Sequence, residues 1–275
     1  MEYDPTQFAG SARYYRRGRP PYSEQLAQVV ARELALDGTG GLLDVGSGPG
    51  TAGLALAPLF EHVTLLEPDP EMLGEARRRV ETDGVPAVRL VCATAEELPS
   101  LGLSPMRAVV FGQSFHRVDR VPVAEAVHAL LEPGGALLLI THDAAAGPIP
   151  SAPPGTTPIP HEEIGRLVEA YLGPERRSGL RPAASYSDER FAETLARTSF
   201  GSSRIVHAPG RRDIVRDADG VIAGYLSMSY AAPHLFGPRL EAFVADLRAL
   251  LEQRSPDGRF WDWPGDTEIV IATRD

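Results

Sequence analysis

Three glycines at alternate positions, in Gly46-Ser47-Gly48-Pro49-Gly50, are the first residues whose spacing could do chemistry. Glycine lets a backbone turn tightly and lets a ligand approach with no Cβ in the way. A helix starting behind such a loop turns its free N–H groups toward the ligand. The loop therefore suits a nucleotide-like or amino-acid-like molecule. A dinucleotide fingerprint, G-x-G-x-x-G/A, needs a small third residue at position 51, where Thr51 stands. The phosphate-cradling Walker pattern fails as well, because no lysine follows. Glu67 lies about twenty residues on. At that distance a carboxylate can accept hydrogen bonds from both hydroxyls of an adenosine ribose.

A second constellation is Gly112-Gln113-Ser114-Phe115-His116. An imidazole titrates near neutrality, so His116 could take a proton from a hydroxyl or phenol; the same side chain could instead hydrogen-bond its loop or line a pocket. The G-x-S-x-G nucleophile elbow ends in glycine, whereas this stretch ends in His116, so Ser114 does not read as an acyl nucleophile. His142 and Asp143 could face the same space or cap a loop. His161-Glu162-Glu163 lacks the second histidine of a zinc helix, and Cys92 is the only cysteine, so no metal site is expected.

The elements that must position these residues alternate. A helix is expected over 22–36, with Ser23 as its cap, then a strand at 42–45 and a helix over 51–60. Strands follow at 62–66, 87–91, 108–111 and 136–141, with helices over 70–81 and 121–131. Strands separated by helix-length segments imply βαβ units and a parallel sheet. Their apolar runs are continuous, as expected when both faces are covered. The glycine loop and the His116 segment then both follow strands, at the carboxyl end of the sheet where open α/β folds gather ligands. Beyond this, 147–160 reads as a proline-rich loop, 161–172 and 187–198 as helices, and 203–207 as a strand. A helix containing Tyr225 and Tyr230, another over 238–254, and a strand at 268–273 complete the pattern.

The chain has 275 residues and a formal net charge of -10. A broad acidic surface repels a phosphate backbone, which argues against nucleic acid as substrate. Hydrophobic residues make up 43%, enough for a real core, yet no apolar run reaches the roughly 18 residues that span a bilayer. Residues 1–19 have no apolar stretch of the signal-peptide kind, and a cytoplasmic location is expected.

Five segments together resemble the motifs of class I S-adenosylmethionine-dependent methyltransferases of the bacterial small-molecule, type 11-like kind. Leu42-Leu43-Asp44-Val45-Gly46-Ser47-Gly48-Pro49-Gly50 resembles motif I, and Leu65-Leu66-Glu67-Pro68-Asp69-Pro70-Glu71-Met72 resembles motif II. Ala93-Thr94-Ala95-Glu96-Glu97-Leu98-Pro99 resembles the adenine-facing loop. Residues 109–119 and 131–137 resemble the motifs around the fourth and fifth strands. The resemblance covers about 40–141. The stretch from Phe8 through Tyr14, Tyr15 and Arg19 to Tyr22 is similar to the arm that closes over the cofactor in those members. Arg117 stands where the family usually has Trp, and Ser47 where Cys or Ala is frequent.

The resemblance implies a Rossmann-like α/β fold: a seven-stranded, mostly parallel sheet flanked by helices, with a helical cap in the C-terminal half. It divides the chain into an arm and first helix (1–36), a cofactor-binding core (37–141), and a cap with the last strands (142–275). It implies S-adenosylmethionine held by Asp44, Gly46, Ser47, Gly48 and Gly50, by Glu67, Pro68 and Met72, and by Thr94, Ala95 and Glu96. Gln113, Ser114 and Phe115 would approach its methionine part, and Tyr14, Tyr15 and Arg19 would cap it, Arg19 by pairing with the cofactor carboxylate. The methyl of a sulfonium is already activated, so the protein chiefly aligns the reactants and excludes water. His116 is the candidate base. The expected partner is a small-molecule methyl acceptor, first an oxygen, with no nucleic acid, membrane or metal, in a monomer or homodimer. Two other readings stay open. One is a sulfonium-binding protein that catalyses a cyclisation without methylating. The other is an NAD-dependent oxidoreductase, against which Thr51 argues. Tyr225, Met228, Tyr230, Phe236, Trp261 and Trp263 offer aromatic and apolar surface for a lid or for a core.

Overall fold

A computed structural model describes residues 3–143, 149–175, 177–178, 181–182 and 190–275. Seven strands form the central sheet: β1 (Gly41–Val45), β2 (His62–Leu66), β3 (Val88–Val91), β4 (Met106–Gly112), β5 (Leu131–Asp143), β6 (Arg204–Ala208) and β7 (Asp266–Thr273). Their spatial order is β3-β2-β1-β4-β5-β7-β6. The first five are parallel, and β7 runs antiparallel to both β5 and β6. This is the expected mostly parallel seven-stranded sheet. The chain reverses its direction of travel between β1 and β4, which opens a crevice at their carboxyl ends.

Successive strand residues point to opposite faces, so each strand feeds two cores. Leu42, Val63, Leu65, Val110 and Leu138 pack on one side with helices α2 (Leu26–Leu34) and α3 (Thr51–Leu56). Leu43, Val45, Leu66, Val109, Phe111 and Leu139 pack on the other, with α5 (Arg120–Leu130). Helix α4 (Pro70–Asp83) starts sharply: Pro70 occupies its first turn, and the Asp69 carboxylate accepts from the Glu71 and Met72 N–H groups.

The cap has a core of its own. Helices α6 (His161–Leu172), α8 (Ala218–Leu226) and α9 (Leu240–Arg254) bury Ile164, Val168, Ile222, Phe243, Leu247 and Leu251 together. Tyr225, Phe236 and Trp261 are each at most 5% exposed, so these aromatics serve packing. A small sheet joins 157–158, 215–216 and 260–261.

Several boundaries differ from the sequence expectation. Residues 12–18 form a short helix, α1 (Ala12–Gly18), which carries no periodic apolar stripe to announce it. The helix expected over 22–36 spans only Leu26–Leu34. Ser23 stands outside it: its hydroxyl donates to the Pro209 carbonyl at 2.6 Å and accepts from the Gln25 N–H at 3.1 Å. The strand expected at 136–141 begins earlier, so that Pro133-Gly134-Gly135 lies within β5, whose pairing with β4 begins at Leu131 across an irregularity. The helix holding Tyr225 stops at Leu226, and Tyr230 lies on a separate single turn. Of the helix expected over 187–198, the structure shows α7 (Phe191–Leu195); positions 187–189 lie outside the described residues. The loop expected over 147–160 contributes residues 157–158 to the small sheet.

Candidate active site

The chain leaves β1 through three left-handed glycines, with φ of +63° at Gly46, +55° at Gly48 and +78° at Gly50. The N–H groups of Gly46 and Ser47 both donate to the Leu66 carbonyl, at 2.8 and 3.1 Å, which ties the loop to the end of β2. An added Cβ at Gly46 would stand 2.7 Å from the Ser114 Cβ. Ser114 in turn donates to the Val45 carbonyl at 2.6 Å. The ends of β1 and β4 are thereby locked edge to edge. At Gly48 an added Cβ would meet nothing nearer than the Tyr15 ring at 3.9 Å. Its bare backbone faces open space.

That space is a cavity of about 510 Å³, within the range of small-molecule sites. The Glu67 carboxylate stands in its wall. One oxygen accepts from the Gly48 N–H at 2.8 Å and the other from the Asp69 N–H at 3.0 Å. A carboxylate offers about four lone-pair positions, so each oxygen keeps capacity for a ligand hydroxyl. Burial pushes the Glu67 carboxyl up to about 7, against the two N–H bonds that favour its charge.

The turn after β3 begins at Thr94, whose N–H donates to the Glu97 carboxylate at 2.7 Å in a reciprocal cap. This sets Thr94, Ala95 and Glu96 along the wall, and Glu96 accepts from the Asp119 N–H at 3.2 Å. After β4, Gln113 adopts φ +58°, an uncommon state for a residue other than glycine. An added Cβ at Gly112 would stand 2.9 Å from the Tyr22 hydroxyl, so glycine admits Tyr22 to the site. Tyr22 stacks on His142, with ring centroids 4.9 Å apart.

From the arm, Tyr3, Asp4, Gln7 and Phe8 also line the cavity. Arg117 lies over the Phe8 ring at 4.7 Å, and Arg19 over the Tyr15 ring at 4.9 Å. Arg19 donates to the Ser227 carbonyl at 2.8 Å, which joins the arm to the cap just beyond α8. Burial, with Arg117, Arg120 and Arg19 adding to it, holds His116 down to about 3. Burial also holds His142 down to about 4, although Asp262 and a hydrogen bond to the Pro20 backbone work the other way.

Most of the residues expected at the site meet there: Tyr15, Arg19, Gly46, Ser47, Gly48, Glu67, Pro68, Met72, Thr94, Ala95, Glu96, Gln113, Ser114 and His116 all line one cavity. Four do not. Asp44 is fully buried on the α3 side of β1 and accepts from the Gly53 N–H at 2.7 Å. Burial pushes its carboxyl up to about 7. Gly50 faces Leu65 and Leu54. Phe115 packs edge-on against Phe111 and Phe191 in the core. Tyr14 packs against the cap core. Sequence reasoning missed Tyr3, Asp4, Gln7 and Asp69 as wall residues, and placed Tyr22 only as the end of the arm. Only Asp69 had a signal, its place two residues after Glu67. Asp143 has its side chain outside the described residues. Among the described residues, no group of three or more His, Cys, Asp or Glu side chains could hold a metal ion. No helix among them is long and apolar enough to cross a membrane.

Comparison with known proteins adds to this geometry. Residues 42–135 match the family model described as a methyltransferase domain. Methyltransferase cfoB of Aspergillus candidus is 28% identical over 127 residues, covering 44% of this chain and 39% of that protein. The tRNA (uracil-5-)-methyltransferase homolog A of Mus musculus is 38% identical over 78 residues, covering 28% of this chain and 13% of its own length. The chain thus spans under half the length of these curated relatives. A solved structure from Bacillus halodurans C-125, described as a candidate methyltransferase, superimposes with a TM-score of 0.50 at 16% identity. It covers 91% of this chain and 99% of its own, a likeness of fold alone.

Proposed function

Because residues 42–135 match a family model described as a methyltransferase domain, we propose that the chain moves a methyl group from S-adenosylmethionine to a small molecule, with an oxygen acceptor as the first candidate. The observation that carries the reading is the Glu67 carboxylate, held by the Gly48 and Asp69 N–H groups in the wall of the cavity. A ribose fits that carboxylate, and the bare Gly48 backbone leaves room for the amino-acid part. Met72, 2% exposed, supplies an apolar face for an adenine, and Thr94, Ala95 and Glu96 border it. Arg19, Tyr15, Gln113 and Ser114 close the other end. The cofactor supplies an activated methyl group. The protein's own work is to orient the acceptor and to keep water out, which the arm residues Tyr3, Gln7 and Phe8 do by roofing the cavity. The formal charge of -10 favours a small acceptor over a nucleic acid.

Calorimetric titration with S-adenosylhomocysteine tests the reading. Wild type should bind, and Glu67→Ala should lose about 3–6 kcal/mol, the scale of two hydrogen bonds to a charged group. Binding of a nicotinamide cofactor in place of S-adenosylhomocysteine would sink it.

A further inference from the structure

A second hollow lies at the seam between arm and cap. Its volume is about 670 Å³, enough for a small molecule. Five arginines line it: Arg16, Arg17 and Arg19 from the arm, and Arg216 and Arg259 from the cap. One carboxylate, Asp217, shares the wall. This inverts the balance of a chain whose formal net charge is -10. Three of the five arginines are engaged. Arg16 reaches Asp83 at 3.5 Å, Arg17 reaches Asp217 at 2.6 Å and Asp219 at 3.4 Å, and Arg216 pairs with Asp262 at 2.5 Å. Arg248 takes the other oxygen of Asp219. Arg19 donates to a neutral group, the Ser227 carbonyl, at 2.8 Å. Neither Arg19 nor Arg259 makes an ion pair with any described residue. Two positive charges are thus left over at the seam. The same wall is also apolar in part: Pro21, Ile214 and Val215 line it, and Val215 is 39% exposed. Guanidinium groups without a counter-charge beside open apolar surface suit a molecule with an apolar body and an anionic end.

We propose that this hollow binds a small organic anion, an apolar body carrying a carboxylate or a phosphate, and that the bound anion ties the arm to the cap. The anionic end is held by Arg19 and Arg259, and the apolar body covers Val215. The tie follows from the two sources of the wall, since Arg19 belongs to the arm and Arg259 to the cap. The two segments already meet here. Arg216 Nη1 donates to the Arg17 carbonyl at 2.9 Å, and Gly18 of α1 lies against Ala223 and Gly224 of α8. An anion between them adds contacts that are lost when the arm lifts. Asp217 opposes an anion least where it stands, because its carboxylate faces Arg17 and caps α8 by accepting from the Gly220 N–H at 2.7 Å. Arg19 borders the first cavity as well, so the segment that the anion holds is the one that roofs that cavity. The site stands apart from the methyl-transfer reading and does not depend on it.

The test titrates the full chain with phenyl phosphate and with benzoate in a calorimeter. At least one should saturate below about 10 mM, and the tighter of the two identifies the anionic end. Phenol, which lacks the charge, should not saturate. Inorganic phosphate, which lacks the body, should bind about tenfold more weakly than phenyl phosphate. Arg259→Gln, an exposed substitution, should lose about tenfold in affinity for the probe with its unfolding midpoint unchanged. Val215→Ser should weaken phenyl phosphate and leave inorganic phosphate as it was. Hydrogen exchange reads the tie itself: with the probe at ten times its Kd, amides of α1 should exchange about tenfold more slowly. Absence of saturable binding by either probe, full affinity in Arg259→Gln, or unchanged exchange in α1 would each overturn the proposal. So would competitive displacement by S-adenosylhomocysteine, which would put the probe in the first cavity. A wild type that binds no S-adenosylhomocysteine but holds the probe would bring down the methyl-transfer reading and leave this site standing.

Discussion

The glycine loop after β1 and the crossing of α1 with α8 use the same residue for opposite ends. At Gly48 the missing side chain leaves a backbone bare toward a cavity. At Gly18 it lets one helix lie directly on another: an added Cβ would land on the backbone of Ala223 and Gly224. The first glycine leaves space in a cavity, the second makes room for the chain itself. The first belongs to a pattern nine residues long. The partner of the second is some two hundred residues away, where no local spacing points to it.

The sharpest way to break this comparison is Gly18→Val. Its new atoms meet backbone, which cannot swing aside, so a loss of about 3 kcal/mol is expected in denaturant unfolding, at the upper end for overpacking. Cofactor affinity should fall with it, because Arg19 and Tyr22 follow Gly18 into the site. A variant with wild-type stability would show that the crossing is loose. Next come paired substitutions in the loop. Gly46→Ala combines a left-handed φ with a clash against Ser114 and should cost about 2–3 kcal/mol. Gly48→Ala carries the conformational strain alone, about 1–2 kcal/mol. Its larger effect should appear in calorimetry, as weakened S-adenosylhomocysteine binding. Equal stability losses at the two sites would erase the distinction.

A smaller effect is set by pH. In the proposed function Glu67 would accept the ribose hydroxyls as a carboxylate, and burial holds its carboxyl up to about 7 in the ligand-free protein. Below that value a proton must leave before the ligand binds. Affinity should therefore weaken toward a tenfold loss per pH unit as pH falls from about 7 to about 5, and flatten above. A pH-independent affinity across that range would contradict the assignment. The smallest effect belongs to the surface: Arg248 pairs with Asp219 at 2.5 Å, but both side chains are over 40% exposed. Arg248→Ala should change stability by under about 1 kcal/mol, and a larger change would mean that cap helices α8 and α9 depend on it.

What was legible in the sequence follows the same division. Strands β1 to β5 each carry a mostly apolar run, and the loop, Glu67 and Thr94 each follow within three residues of one of them. Their places at the site follow from the chain's local path. Motif membership did not say which way a side chain turns. Asp44 and Gly50 lie in the same pattern as Gly48, yet one braces α3 and the other packs on Leu65. Phe115 adjoins His116 and turns into the core. The arm residues Tyr3 and Gln7 were hidden for another reason. Distant contacts set their course: the Gly10 N–H donates to Glu71 at 3.1 Å, and the Ala9 carbonyl meets His234 at 3.2 Å.

The antiparallel strand β7 carries one more consequence. It pairs with β5 along eight residues and also forms the inner neighbour of β6, yet it leaves the ribosome about 120 residues after β5. Until it emerges, β5 presents an unpaired edge during synthesis. The sheet can close only after the whole cap has been made, so assembly must wait on a contact of long sequence separation. A nascent chain halted within the cap should be open to proteases along β5 and resist them only once β7 has been added.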